Sequence, residues 1–149
     1  MTGSIPIIVD SREQAPYEFD LTRFSVERSA LPAGDYSLVG SETRVAVERK
    51  SLADFAQTVI RQRKRFHAEL RKLAECEFAC VVVEGSLRDV LEGNYGTGAH
   101  PNAVFGAAVS ICVDWRIPVY FCGDRQTARR FVEGYLERCW RAIHERGLG

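Results

Sequence analysis

Asp35, Glu48 and Lys50 are the residues of this chain whose types and spacing suit a chemical step. An acid on one strand, followed by Glu-x-Lys on the next, is what metal-assisted phosphodiester hydrolysis needs. The two carboxylates can hold a divalent cation that activates water and neutralises charge at phosphorus. Hard oxygen ligands, completed by water and phosphate, suit Mg²⁺ or Mn²⁺. Asp35 and Glu48 are therefore the candidate metal ligands, and Lys50 can orient the attacking water or steady the phosphate. A lone Glu-x-Lys is more often a surface ion pair, so the reading depends on whether the fold brings Asp35 to Glu48.

The local pattern says that it does. If residues 40–43 (Gly-Ser-Glu-Thr) form a turn between antiparallel strands, residues whose numbers add to 83 face each other, and Asp35 lies opposite Glu48. Directly opposed residues have Cβ atoms roughly 4.5–5.5 Å apart. Period-2 alternation then places Asp35, Ser37, Arg44, Ala46, Glu48 and Lys50 on one face and Tyr36, Leu38, Val45 and Val47 on the other. One face is apolar and the other charged. A slip of one residue scatters both sets.

The elements around this hairpin alternate between strand and helix. Apolar, β-branched residues 5–9 predict a buried strand ending at Asp10, and residues 24–28 a weaker one. A helix starts after Ser51, with Leu52, Phe55, Ala56, Val59 and Ile60 on one face and a break near 61–64. Residues 78–83 predict a strand, 87–91 a helical turn or two, 93–98 a flexible loop and 103–115 an apolar helix after Pro101. A strand over 117–122 and a long amphipathic helix over 124–146 complete the chain. The expected class is an α/β sandwich around a mixed sheet, as one domain over residues 1–149.

Composition narrows the setting. An apolar fraction of 46% and a charged fraction of 27% are those of a soluble globular protein. No apolar run approaches the roughly twenty residues of a membrane span, and the N-terminus lacks signal-peptide character. The expectation is a cytoplasmic protein, nucleoid-associated if prokaryotic, with no membrane partner. The five cysteines contain no CxxC pair; Cys80, Cys112 and Cys122 read as small core residues, and Cys76-x-x-x-Cys80 lacks a second ligand pair for zinc. His67, His100 and His144 are dispersed. Formal net charge is zero, but Arg61, Arg63, Lys64, Arg65, Arg71 and Lys72 cluster just after the acids. That cluster is either a solvated helix face or a phosphate-contacting one. Asp54 likewise has two readings, since Ser51-x-x-Asp54 resembles a capping box, and Asp10 could simply open an Asx-turn.

Asp10-Ser11-Arg12-Glu13, Gly34-Asp35-Tyr36 and Glu48-Arg49-Lys50-x-x-x-Asp54 together resemble the XPF nuclease family, whose signature is GD…ERKxxxD. Segments 82–87, 100–103, 113–114 and 117–119 are similar to the nuclease domain of the archaeal helicase-nucleases of the Hef type. The resemblance implies a restriction-endonuclease-like fold and Mg²⁺- or Mn²⁺-dependent cleavage of branched DNA, such as flaps and forks, in repair or recombination. It implies Asp10, Glu13, Asp35, Glu48, Lys50 and Asp54 as catalytic residues, with Arg12 and Arg49 in the same site. DNA contacts are then expected from Arg12, Arg49, Arg61, Arg63, Lys64 and Arg65. It also implies a homodimer through the helices over 103–115 and 127–143, where Phe131, Tyr135 and Trp140 either meet a partner or pack internally. Family members usually carry a tandem helix-hairpin-helix module and many carry a helicase. Residues 1–149 show neither, so DNA gripping or unwinding is expected from a separate subunit. The loop over 92–98 is longer than the family's, and its DNA contacts do not transfer. Two other readings stand beside this one: a non-catalytic DNA-binding or scaffolding module, which would lose the acids present here, and a nuclease acting on linear duplex or single-stranded DNA.

Overall fold

A computed structural model describes residues 3–145. The β-branched run forms β1 (Ile5–Asp10), which pairs parallel with β2 (Phe24–Ser29) and antiparallel with β3 (Tyr36–Leu38). β3 pairs antiparallel with β4 (Val45–Ser51), which continues parallel to β5 (Phe78–Glu84) and then β6 (Val119–Phe121). The six-stranded mixed sheet has the order β2-β1-β3-β4-β5-β6. Tyr36 lies opposite Val47, so the register is the one in which paired numbers add to 83.

Alternation along the strands divides the core into two layers. Tyr36, Leu38, Val45, Val47 and Val82 face α5 (Arg125–Glu145), meeting Val132, Leu136 and Ile143. Ala46, Val81 and Val83 face α1 (Leu52–Arg61), α2 (Arg63–Ala74) and α4 (Pro101–Asp114), meeting Phe55, Phe66, Leu70 and Ile111. A short α3 (Leu87–Glu92), opened by a Ser86/Asp89 capping box and closed by Gly93 at φ 74°, precedes α4. The expected α/β architecture, a central mixed sheet flanked by helices, is the one present. The long final helix begins at Arg125, and its expected end at Arg146 lies outside the described residues.

The face with Asp35, Glu48 and Lys50 is charged only in part: Ser37 and Ala46 on it are completely buried, Ala46 within the core cluster that α1 and α2 join. Only the end of the face carrying Asp35, Glu48 and Lys50 reaches a pocket. The helical break lies where it was expected: Gln62, at φ −123° and ψ 39°, separates α1 from α2. That bend lets α2 turn back over the strand ends while Phe66, Leu70 and Leu73 stay in the core. Among the described residues no helix is long and apolar enough to cross a membrane.

Candidate active site

Asp10 anchors the site from below. Its carboxylate accepts the backbone N–H of Leu31 at 2.8 Å and of Arg12 at 3.2 Å, and pairs with the Arg12 guanidinium at 3.0 Å. Burial alone would raise this carboxyl, but Arg12 and the two backbone donors outweigh it and hold it below the usual range. The loop so pinned crosses β4 at Gly34. There φ is 73°, and a Cβ would stand 2.9 Å from the Val47 carbonyl oxygen, so a side chain is excluded twice over. The crossing delivers Asp35, whose N–H donates to the Val47 carbonyl at 2.7 Å and whose carbonyl accepts the Asp10 N–H at 2.8 Å.

Asp35 Oδ2 then accepts the backbone N–H of Arg49 at 2.7 Å, next to Glu48 in the same pocket. Glu48 is buried, and its Oε2 meets Lys50 Nζ at 3.1 Å. Burial pushes both carboxyls up; Glu13 adds to the rise at Asp35, and the charge of Asp35 adds to it at Glu48. Burial would lower Lys50, but Glu48 and Glu69 more than offset it and keep the ammonium charged. The pocket has about 500 Å³ of space. Its second wall is a stripe of α2, with Arg65, Glu69 and Lys72 on one side of the helix and Arg12 at the opposite rim.

Other expected site residues lie elsewhere. Because side chains alternate, Arg49 points to the sheet face opposite Glu48. There it pairs with Glu13 at 2.9 Å and Glu84 at 3.2 Å, beneath the sheet and 13% exposed. Tyr17 donates its hydroxyl to Glu84 at 2.6 Å, and Arg125 approaches the same oxygen at 3.4 Å. Against burial, Arg49 chiefly, with the backbone N–H groups of Ala15 and Gln14, holds Glu13 below its ordinary range. Asp54 stands exposed in the first turn of α1, where its N–H is capped by Ser51 Oγ at 3.1 Å, and it does not line the pocket. Arg61, Arg63 and Lys64 are exposed at the α1–α2 bend, with Arg63 beside a groove against α4. Among the described residues no ion pair involves Arg61, Arg63, Lys64, Arg65, Arg71 or Lys72, whereas Arg23, Arg44, Arg129 and Arg141 are all paired.

Sequence reasoning missed Glu69, Gln62 and the Tyr17–Glu84–Arg125 group. Gln62, Arg65, Glu69 and Lys72 recur at three- and four-residue intervals, a detectable helical stripe. Nothing local links Tyr17 to Glu84, which is 67 residues away.

The fold resembles that of solved proteins. XPF from Aeropyrum pernix aligns with a TM-score of 0.73 at 24% identity, over 94% of this chain and 67% of that one. The same protein in complex with DNA aligns at 0.71 and 22%, over 93% and 66%. At these identities the likeness concerns the fold, an XPF-type, restriction-endonuclease-like one. A protein of Methanocaldococcus jannaschii, named as a candidate ATP-dependent RNA helicase, is 36% identical over 117 residues. That stretch covers 78% of this chain but only 13% of the relative. Residues 9–134, most of the chain, match the family model described as the ERCC4 domain, and the chain belongs to that family.

Proposed function

We propose that this chain is a divalent-metal-dependent DNA endonuclease of the XPF type. The observation that carries the reading is the convergence of Asp35, Glu48 and Lys50 on one pocket rimmed by Arg12, Arg65 and Lys72. Buried carboxylates normally find counter-charge. Here two share a pocket, both raised in proton affinity, and Lys50 is ion-paired to Glu48. Among the described residues no three His, Cys, Asp or Glu groups converge as a cage. That donor set fits Mg²⁺ or Mn²⁺, which need only one or two carboxylates and keep several waters. Asp35 and Glu48 would hold the cation, which supplies an activated water and charge neutralisation at phosphorus.

The chain's own groups do the rest. Lys50, held by Glu48, presents a fixed positive charge to the phosphate. Asp10, with both oxygens engaged, positions the 31–35 loop rather than touching substrate. Arg49 and Glu13 brace β4 from the opposite face, so positioning suits them better than a place at the phosphate. Asp54 lies outside the pocket, and a catalytic part for it would require DNA to extend along α1. The unpaired cations Arg61, Arg63, Lys64, Arg65 and Lys72 are suited to DNA phosphates.

Branched DNA, as in flaps and forks, is the substrate class that family membership favours, and a DNA complex is known for the XPF neighbour. A homodimer would use α4, whose outer face exposes Val109 and Val113 with Phe105 and Cys112 alongside. Phe131 and Tyr135 are half-buried against Tyr120, at ring-centroid distances of 4.6 and 6.5 Å, and Trp140 lies over His144 at 3.8 Å. We assign residues 1–149 to one nuclease domain, with a helicase or DNA-gripping subunit as the expected partner and the cytoplasm or nucleoid as its place of action. Cleavage of flapped, forked, linear and single-stranded DNA with Mg²⁺ or Mn²⁺ tests the reading. Forks and flaps are expected to be cut faster than linear duplex. Equal rates on all four would remove the branched-DNA preference, and no cleavage with either metal would remove the endonuclease reading.

A further inference from the structure

We propose that Glu69, on α2, is the proton acceptor for the attacking water, an assignment that rests on the endonuclease reading and deepens it. Hydrolysis needs a base within reach of that water. The acids around the pocket are Asp10, Asp35, Glu48 and Glu69. Asp10 spends both oxygens on Arg12 and the Leu31 N–H. Asp35 is engaged by the Arg49 N–H and Glu48 by Lys50, and both are assigned to the cation. Lys50, Arg12, Arg65 and Lys72 offer only donors. Glu69 remains.

Its position suits the task. Phe66, Leu70 and Leu73 fix α2 against the core and turn Glu69 inward, across the pocket from the strands that carry Asp35 and Glu48. Glu69 is half-buried, whereas its neighbours Arg65, Ala68 and Lys72 in the same wall are exposed. It lines one pocket with Glu48, Lys50 and Arg12, and its charge acts on all three. In the step, the water O–H bond breaks and its proton passes to a Glu69 oxygen. The freed electron pair forms the new P–O bond. The P–O bond to the departing sugar oxygen breaks with its pair, and that oxygen takes a proton from solvent. Glu69 returns its own proton to solvent afterwards.

Glu69→Gln keeps the side chain's shape and polarity while removing the base. Its single-turnover cleavage rate is expected to fall about 10²- to 10⁴-fold. Its affinity for the same DNA in Ca²⁺ is expected to stay equal or become tighter, since a negative charge leaves the phosphate path, and its Tm is expected to be unchanged. Cleavage at the wild-type rate overturns the assignment, as does a loss of rate matched by an equal loss of DNA affinity or by a lowered Tm. Wild-type protein that cuts no DNA overturns the endonuclease reading and this assignment together. Wild-type protein that cuts, with Glu69→Gln cutting equally fast, overturns this assignment alone.

Discussion

The Asp35 carboxylate accepts the backbone N–H of Arg49 at 2.7 Å, a bond that ties the loop carrying one acid to the strand carrying the next. It lies between Glu48 and Lys50 in sequence, so the main chain of β4 orients Asp35 while the side chains on either side do the chemistry. Precision of this kind comes from backbone pairing in the sheet, which is harder to perturb than a side-chain contact.

The first prediction concerns the two buried carboxylates without metal. Both have folded-state proton affinities raised above the ordinary value. The fold therefore favours their neutral forms, and the unfolded chain binds fewer protons in the interval above the ordinary carboxylate range. Metal-free stability is expected to increase as pH falls from about 8 to about 5. Saturating Mn²⁺ should raise Tm most at the alkaline end and flatten the dependence. Glu48→Gln should be more stable than wild type without metal and gain little from Mn²⁺. Thermal melts across that pH range, with and without metal, read all three effects.

Arg49 and Arg12 each pair with an acid, yet their substitutions should differ in cost. Arg49 is 13% exposed and bridges Glu13 and Glu84, so Arg49→Ala leaves Glu13 buried without its guanidinium and Glu84 with only the Tyr17 hydroxyl and the longer Arg125 contact. About 3 kcal/mol of stability is expected to go. Arg12 is 73% exposed, and Arg12→Ala should cost at most about 1 kcal/mol. Urea unfolding of the two variants makes the comparison; equal costs would mean that the bracing under β4 is unimportant.

The cations on the α2 wall should be read through salt. Arg65→Ala and Lys72→Ala are each expected to weaken DNA binding and to reduce the slope of log affinity against log salt by about 1. Arg141, paired with Glu137 at 2.9 Å on the far helix, serves as the control and should leave the slope alone. Binding titrations in Ca²⁺ at several salt concentrations measure this.

How far the sequence could be read depends on the range of the interactions involved. The β3–β4 register and the break at Gln62 were legible because they follow from alternation and helical period within about twenty residues. The same alternation also separates Arg49 from Glu48, although the motif invites a reading in which every charged residue belongs to one cluster. Ala46 is buried because α1 and α2 pack in its core cluster, which the strand pattern alone does not contain. Glu13, Tyr17, Glu84 and Arg125 meet only after β1, β4, β5 and α5 have assembled, so no local spacing announces them. Glu69 is an intermediate case. Its stripe is visible, but which wall it faces depends on how α2 docks.

The central claim, that the Asp35–Glu48–Lys50 pocket cuts DNA with a divalent cation, is tested most directly by single-turnover cleavage of a forked DNA with Mn²⁺ by wild type and Glu48→Gln. Wild type is expected to cleave and Glu48→Gln to leave the DNA uncut, with the variant folded and still binding DNA. Cleavage by Glu48→Gln at the wild-type rate would contradict it.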